Sequence, residues 1–365
     1  MDNLVAVADQ FKPKGKVVAI EEYGNGNVND TFLVTLDSKK EKYFILQRIN
    51  TQVFRHPELV MLNMRTFTEH VRHRLRRAPL KPGRRWEVVR VLSSENGQDH
   101  WIDPEGSFWR GISFIEGAQS FETIKDVGHA EEVGFALGMF HNLLSDLPSE
   151  KLVDTLEGFH ITPSYLLHYD EVLAQKRPKK SPEVDYGLQF IEKRRGWSNV
   201  LENAKGQGRL GLRPIHGDPK VDNVMIDNST GQAISIVDLD TVKPGLVHYD
   251  IGDCLRSGCN PLGEDPDEWE QVHFDPELCQ AILQGYFSLA RYFLTEIDYE
   301  YLYDAIRLIT FELGLRFFTD YLEGNVYFKA NHQEHNLARA LVQFKLTENI
   351  ESQKKTIQFI IRDMR

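Results

Sequence analysis

An α+β chain of two lobes, a small antiparallel sheet followed by a larger and mainly helical part, is what the order of its patterns implies. Three observations carry this reading. β-branched and apolar runs of strand length fill much of residues 1–117, while apolar residues at three- and four-residue spacing dominate 118–365, and these are the marks of strand and helix. The chain has 365 residues, room for about two domains at roughly 100–200 residues each. Hydrophobic residues make up 41% and charged residues 27%, an ordinary globular composition that excludes a disordered or fibrous chain.

The 54 Asp and Glu against 43 Lys and Arg leave a net charge of −11, which argues against a general nucleic-acid binder, whose surface is basic. Any phosphate bound here must meet cations concentrated at one place. Cys254, Cys259 and Cys279 form neither a paired disulfide framework nor a CxxC knuckle, and they fit a reducing compartment. The opening MDNLVAVADQ lacks the pattern of a signal peptide, and no stretch of about 18 uninterrupted apolar residues occurs. A cytoplasmic protein without a membrane or nucleic-acid partner is expected.

Lys16 to Glu22, Thr31 to Leu36 and Lys42 to Ile49 read as strands, the last two joined by the polar turn Asp37-Ser38-Lys39-Lys40-Glu41. After Pro57, the residues Leu59, Leu62, Met64, Phe67 and Val71 recur as one face of a helix would. Glu87 to Leu92 and Phe108 to Ile115 are the remaining strands of the first lobe, and Glu116-Gly117 breaks the run. Val133, Leu137, Phe140 and Leu144 form a helical stripe, and the same spacing runs through 276–293, 301–322 and 336–361. No internal repeat or low-complexity segment interrupts them.

Residues 214–240, PIHGDPKVDNVMIDNSTGQAISIVDLD, differ from their surroundings by alternating short apolar strands with carboxylates and amides. Asn223 follows Asp218 by five residues, the spacing of a kinase catalytic loop. Asp218 can orient an acceptor hydroxyl and take its proton, and Asn223 can offer a carbonyl oxygen to Mg²⁺. Beyond the hairpin turn Asp227 to Gly231, the strand Ile234 to Val237 delivers Asp238, a further oxygen ligand for a hard cation. Phosphoryl transfer needs positioning and charge neutralisation more than covalent chemistry, and these residues supply both. Asp240, two residues on, either touches a second metal or caps the turn at Pro244-Gly245. His216 reads as a brace of the loop rather than a base. Lys220 is either a cation for the transferred phosphoryl group or a solvated loop lysine.

HGDPKVDN followed by IVDLD resembles the aminoglycoside phosphotransferase-like kinases, whose pattern is HGD, an Asn five residues after the Asp, and a strand ending in a metal-binding Asp. The resemblance implies the bilobal, protein-kinase-like fold of that superfamily, with 1–117 the nucleotide-binding lobe and 118–365 the lobe of the catalytic loop and acceptor site. The stretches YGNGNVNDTFLVT, YFILQRINTQVF, IVDLDTVKPG, YDIGDCLRSG and LGLRFFTDYLEGNVYFKANHQEHNLARALVQFKL are similar to those of the bacterial N-acetylhexosamine 1-kinases. That likeness covers nearly the whole chain.

Tyr23 to Thr31 lies between two strands, where a kinase keeps its glycine-rich phosphate lid, so Gly24 and Gly26 would let backbone N–H groups approach the phosphates. The resemblance adds Asn29 and Thr31 at the end of this lid. A protein kinase has a lysine on its third strand, whereas the matching strand here reads Phe44-Ile45-Leu46-Gln47-Arg48, with Gln47 at the lysine's place. The relatives carry an amide there too, and alternation lets only one of Gln47 and Arg48 face the cleft. Glu58 and Glu69 are the helix carboxylates that an ion pair would use, and neither is assigned. By analogy, adenine is held where sheet gives way to helix, by backbone groups of Phe114, Ile115 and Glu116.

Arg316, Asp320, Tyr321, Asn325 and Tyr327 gather where a helix ends at Gly324. The resemblance implies that this stretch binds the acceptor, with Arg316, Tyr321 and Tyr327 as its contacts. Arg316 and Asp320, four residues apart, can bond to sugar hydroxyls or to each other. Asp250 and Asp253 match a motif that braces the catalytic loop. The basic runs 72–90 and 176–180 read as solvated faces, the first with arginines packing on Trp86. The expectation is an ATP- and Mg²⁺-dependent kinase, monomeric or weakly dimeric, that phosphorylates the anomeric hydroxyl of a free N-acetylhexosamine, GlcNAc or GalNAc. Its rivals are the same fold acting on choline, homoserine, an aminoglycoside or another sugar, and a pseudokinase scaffold suggested by the missing strand lysine.

Overall fold

A computed structural model describes residues 2–11, 15–24, 28–38, 41–176, 179–266 and 268–365. Gly26 of the glycine-rich lid, Lys39 and Lys40 of the hairpin turn, and Arg177 and Pro178 lie outside the described residues.

The first lobe consists of α1 (Asp2–Asp9), β1 (Val17–Glu22), β2 (Asp30–Leu36), β3 (Tyr43–Ile49), α2 (Pro57–Arg77), β4 (Val91–Leu92), β5 (Trp101–Ile102) and β6 (Phe108–Ser113). Its strands form one antiparallel sheet in the order β1-β2-β3-β6-β4, with β5 also on the outer edge of β6. The register sets Gln47 of β3 opposite Thr31 of β2 on one side and Arg110 of β6 on the other. Directly opposed residues share a sheet face, so these three side chains meet.

Helix α1 was not legible as a helix; it closes one side of the sheet by packing Val7 and Ala8, with Phe11, against Phe44, Leu46 and Trp109. On α2 the buried stripe is Pro57, Val60, Met61, Met64, Phe67 and Val71, while Leu62 faces outward. The helical period is as expected, but its phase at the start follows the contact of Val60 and Met61 with Ile49 and Phe108. Of the expected strand Glu87 to Leu92, only Val91 and Leu92 pair as β4. Its first residue instead crosses to the other lobe, Glu87 N donating to Ile234 O.

The second lobe begins with β7 (Ala118–Gln119), α3 (Val127–Leu144), α4 (Thr162–Gln175), α5 (Pro182–Arg194) and α6 (Val200–Gly206). Four short strands follow: β8 (Arg213–Ile215), β9 (Val224–Asp227), β10 (Ala233–Ile236) and β11 (Lys243–Gly245). Helices α7 (Val247–Gly258), α8 (Pro276–Ala290), α9 (Glu296–Glu300), α10 (Leu302–Glu323), α11 (His335–Ser352) and α12 (Lys354–Asp363) complete it. The pattern expected as one helix over 336–361 is thus divided at Gln353.

Helices α3 and α8 cross with their backbones in contact. A Cβ on Gly134 would fall 1.9 Å from Ile282 O, and one on Gly285 would fall 1.9 Å from Glu131 O. The crossing sets His141 of α3 beside Asp250 of α7, behind the loop His216 to Asn223. The basic run is less solvated than expected. Arg84 pairs with Glu132 and stacks 3.8 Å from the ring of Phe135, and Arg85 reaches Asp227 at 2.6 Å. Both side chains tie the first lobe to the second, and the stacking falls on Phe135 instead of Trp86. Among the described residues no helix is long and apolar enough to cross a membrane.

Candidate functional site

Strand β8 delivers the loop His216 to Asn223, and β11 lies antiparallel beside it. Gly217 sits at φ 88°, and a Cβ there would meet Thr241 O at 2.8 Å, so both the turn and the close approach require glycine. Asp250 accepts the N–H groups of His216 and Gly217 at 2.7 and 2.8 Å and pairs with His141 at 2.8 Å. His216 accepts from Asp218 N at 3.2 Å through Nδ1, and its Nε2 lies 3.0 Å from Val237 O. With both ring nitrogens committed and burial lowering its pKa, His216 braces the loop as expected. His160 adds a second brace through Gly217 O at 2.6 Å. Asp253 does not bond to the loop; it pairs with Arg256 at 2.8 Å.

Asn223 donates Nδ2 to Asp218 O at 2.7 Å and to Asp218 Oδ2 at 3.3 Å, leaving its Oδ1 for another partner. Asp238, at the end of β10, holds a left-handed conformation, φ 61° and ψ 64°, that turns the chain at the cleft. Such a conformation is uncommon for a non-glycine residue and collects at functional sites. Asp238 is exposed to the cleft while protein surrounds it at longer range. That enclosure, with Asp240 and Asp218 nearby, pushes its carboxyl up to about 7. Burial likewise raises Asp218 against the pull of Lys220. Burial disfavours the Lys220 ammonium, but Asp218 and Asp222 more than offset this and hold its pKa above the ordinary value. A cluster of carboxylates raised in this way is a place that gains from a cation.

Asn223 and Asp238 are hard oxygen donors on one cavity wall, and they fit Mg²⁺, which takes one or two protein ligands and fills its shell with water and phosphate. Among the described residues no group of three or more His, Cys, Asp or Glu is arranged to hold a metal by itself. Asp240 does not extend this set. It is buried, paired with Arg110 NH1 at 2.5 Å and hydrogen-bonded by Asn29 Nδ2 at 2.6 Å.

Two cavities meet at these residues. One, of about 350 Å³, runs beneath the sheet between Ile45 and Val89 above and Met225 and Leu239 below, with Gly24, Phe114 and Ile115 at its edge and Asn223 and Asp238 at its inner end. Flat apolar jaws with a polar end have the shape and chemistry of a nucleotide site. Gly24, at φ 75°, requires the conformation that glycine supplies. Glu116 lies outside that lining and faces an outer groove, its carbonyl accepting from Arg85 NH2 at 3.4 Å. The other cavity, of about 180 Å³, is lined by Asp218, Lys220, Asp238, Asn29 and Thr31 and reaches Arg316 and Tyr327. Thr31, Gln47, Lys220 and Asp238 line both.

Of the two candidates on β3, Gln47 faces the cleft, and Arg48 turns outward to pair with Asp30 at 2.5 Å. Gln47 Nε2 donates to Thr31 Oγ1 at 3.0 Å, and its Oε1 accepts from Arg110 Nε at 2.9 Å and NH2 at 2.7 Å. Arg110 is 1% exposed, the largest fully buried side chain described. The sequence singled out Phe108 to Ile115 as a strand without assigning Arg110 a part in the site. A charged residue on the inward period of such a strand, opposite Gln47, was the available signal.

At the far end of the smaller cavity, Arg316 lies between the rings of Phe159, Tyr165, Tyr327 and Phe328, with centroids 5.1–5.9 Å from its guanidinium. Among the described residues nothing accepts a hydrogen bond from it or pairs with it. Asp320 is not its partner. It accepts Val326, Tyr327 and Phe328 N–H groups at 2.9, 2.7 and 3.0 Å and so fixes the loop that presents Tyr327. Tyr321 lines neither cavity; it packs against the helical core, and burial raises its pKa. Alternation by helical period set it on the far side of α10 from Arg316.

A sequence profile described as the phosphotransferase enzyme family matches residues 19–292. Among solved structures, choline kinase from Cryptosporidium parvum Iowa II has a TM-score of 0.61 at 14% identity, over 99% of this chain and 98% of that one. A microcompartment-associated aminopropanol kinase gives 0.61 at 15% identity, over 97% and 98%. An aminoglycoside phosphotransferase from Alicyclobacillus acidocaldarius subsp. acidocaldarius DSM 446 gives 0.57 at 13% identity, over 97% and 96%. At such identities the likeness is one of fold, and the fold is the kinase-like one expected from the sequence.

Proposed function

The chain belongs to the phosphotransferase enzyme family, and from that premise we propose that it transfers the terminal phosphoryl group of ATP to the anomeric hydroxyl of a free N-acetylhexosamine, giving the α-1-phosphate. Asp218 accepts the hydroxyl proton, and an anomeric hydroxyl is more acidic than an ordinary alcohol, so one carboxylate within hydrogen-bond reach suffices. Lys220 offsets charge on the transferred group. Asn223 and Asp238 hold Mg²⁺, which when bound neutralises the phosphate oxygens. Gly24, Gln47, Phe114 and Ile115 hold the nucleotide.

The observation that carries the choice of acceptor is the unpaired Arg316 in the same cavity as Asp218. A guanidinium offers five N–H donors and repels ammonium groups. Other carboxylates of that lining are already committed, Glu312 to His160 and Thr162, Asp240 to Arg110 and Asn29, Asp253 and Glu264 to Arg256. Asp253 keeps Oδ2 without a hydrogen bond but sits against Arg256, so among the described residues Asp218 and Asp238 are the carboxylates of the lining that no arginine or histidine engages. An uncharged, oxygen-rich acceptor fits these conditions, and choline, an amino alcohol or an aminoglycoside does not. The N-acetylhexosamine itself rests on the similarity of the stretch that includes Arg316 and Tyr327.

The test is a panel of free sugars, choline, homoserine and an aminoglycoside incubated with ATP and Mg²⁺, read by ADP release and by loss of the reducing end. ADP release with GlcNAc or GalNAc accompanied by reducing-end loss is expected. Release with retention of the reducing end moves the reaction to another hydroxyl. Release only with the cationic acceptors overturns the reading of Arg316, and no acceptor-dependent release at all leaves a binding scaffold.

A further inference from the structure

Among the described residues the cleft has no strand lysine, and the one lysine that lines it, Lys220, is paired with Asp222 at 3.1 Å. A protein kinase holds its nucleotide phosphates with a strand lysine kept in place by a helix carboxylate. Here the carboxylates of α2 do not enter the cleft. Glu58 lies 3.4 Å from His56 and Glu69 lies 3.8 Å from Arg65, all four exposed. Helix α2 is instead pinned to the second lobe by Asn63, which donates to Val153 O and Val242 O at 2.7 and 2.8 Å. The lysine and its carboxylate are therefore both missing from their usual elements.

We infer that a buried pair, Arg110 and Asp240, takes over their task by fixing and polarising the amide of Gln47, which rests on the kinase reading above. Gln47 is the residue of β3 that faces both cavities, beside Thr31, Lys220 and Asp238. An amide can turn over, presenting either oxygen or nitrogen to the cleft, and an oxygen there would repel phosphate. Arg110 removes the choice. Its Nε and NH2 both donate to Gln47 Oε1, which commits the oxygen to the sheet interior and leaves Nε2 to face Thr31 and the cleft.

Arg110 also supplies charge. NH1 of Arg110 and Oδ1 of Asp240 stand 2.5 Å apart, both are buried, and neither makes a hydrogen bond. The contact is one of charge between lobes. Two N–H donors from one cation on Oε1 draw electron density from the amide and strengthen the N–H that remains, because linked hydrogen bonds polarise one another in a low-dielectric interior. Asn29, which donates to Asp240 at 2.6 Å and accepts from Asn50 N at 2.9 Å, closes the far end of the chain. Arg110 is thus a positioning residue, and Gln47 is the group that touches phosphate.

A double-mutant cycle on ADP and adenosine affinity, measured by calorimetry, tests this. Gln47→Leu and Arg110→Met are each expected to weaken ADP about tenfold while adenosine stays within about twofold, a loss in the range of a charge-assisted hydrogen bond. The double variant should bind ADP no more weakly than the worse single variant, since residues acting through one contact are not additive. Additive losses, an unchanged ADP preference, or an equal loss of adenosine would each overturn the role. Where Arg110→Met gives no folded protein, Arg110→Lys replaces it in the cycle, since one ammonium cannot make the two-point contact, and the same outcomes decide. A wild-type chain that binds no ADP defeats the kinase reading instead, so the two failures are distinguishable.

Discussion

Asn223 donates its amide to both the carbonyl and the carboxylate of Asp218, at 2.7 and 3.3 Å, so the proposed base and the proposed metal ligand move as one unit. The same contact aims the remaining oxygen of Asn223 away from the base. Asp218→Asn preserves the shape and removes the proton acceptor. Turnover is expected to fall by about 10²–10⁴, the usual contribution of a positioned general base, with ADP affinity nearly unchanged. Single-turnover kinetics and ADP calorimetry read the two quantities separately. Near-wild-type turnover would remove Asp218 from the chemistry.

Arg316 is held by rings rather than by a carboxylate, so its donors are free for the acceptor. Arg316→Met keeps the apolar stem against Phe159 and Tyr165 and deletes the donors. The KM for the acceptor should rise by about 10–100-fold, as expected when a charge-assisted hydrogen bond is lost, while the KM for ATP stays constant. An equal rise for both substrates would place Arg316 in the architecture of the cleft instead of the acceptor site.

What the sequence disclosed was whatever short-range spacing controls. The loop His216 to Asn223, the hairpin after it and Asp238 are consecutive, and the contact between Asp218 and Asn223 is local, so spacing alone brought them to notice; the braces from Asp250 and His160, 33 and 57 positions from Gly217, left no such mark. Tyr321 lies away from both cavities because a few residues along a helix turn the side chain elsewhere, and only packing reveals the phase. Arg110 was hidden for a different reason. Its partners Gln47 and Asp240 lie 63 and 130 positions away, and cross-strand pairing across such distances leaves no local pattern. The ties from Arg84 and Arg85 to the second lobe were missed on the same account, since a basic run looks alike whether its partners are solvent or remote carboxylates.

Gly134 and Gly285 let two helices touch where any side chain would collide with a carbonyl oxygen. Gly134→Ala is expected to lower unfolding stability by about 3 kcal/mol or more, at the upper end of overpacking costs, because the obstruction is backbone that cannot rotate away. Denaturant unfolding should show a lower midpoint with an unchanged m-value. Gly24→Ala serves as a contrast. Among the described residues nothing lies within 4 Å of the added carbon there, which leaves the strain of φ 75° as the penalty, so its stability loss should be the smaller of the two.

His160 and Glu312 form a buried pair at 2.9 Å, behind Gly217 of the catalytic loop. Burial by itself would lower the pKa of His160, but the hydrogen bond and charge of Glu312, with Gly217 O beyond, more than offset it and hold the imidazolium above its ordinary pKa. The sign of the linkage follows. Below the unfolded-state value of about 6.5 both states carry the proton, and the stabilisation is fully present. As pH rises past that value the unfolded chain gives up its proton first, so the contribution shrinks until the folded group titrates as well. The difference in melting temperature between the wild type and His160→Gln should therefore be largest in mild acid and fall as pH rises above about 6.5. Other buried histidines shift in the opposite direction, His216 and His248 being lowered by burial, which is why the difference between the two proteins, and not the wild-type curve alone, carries the test. A difference that stays flat or grows between about pH 5.5 and 8.5 would show that the pair is held without charge on the imidazole.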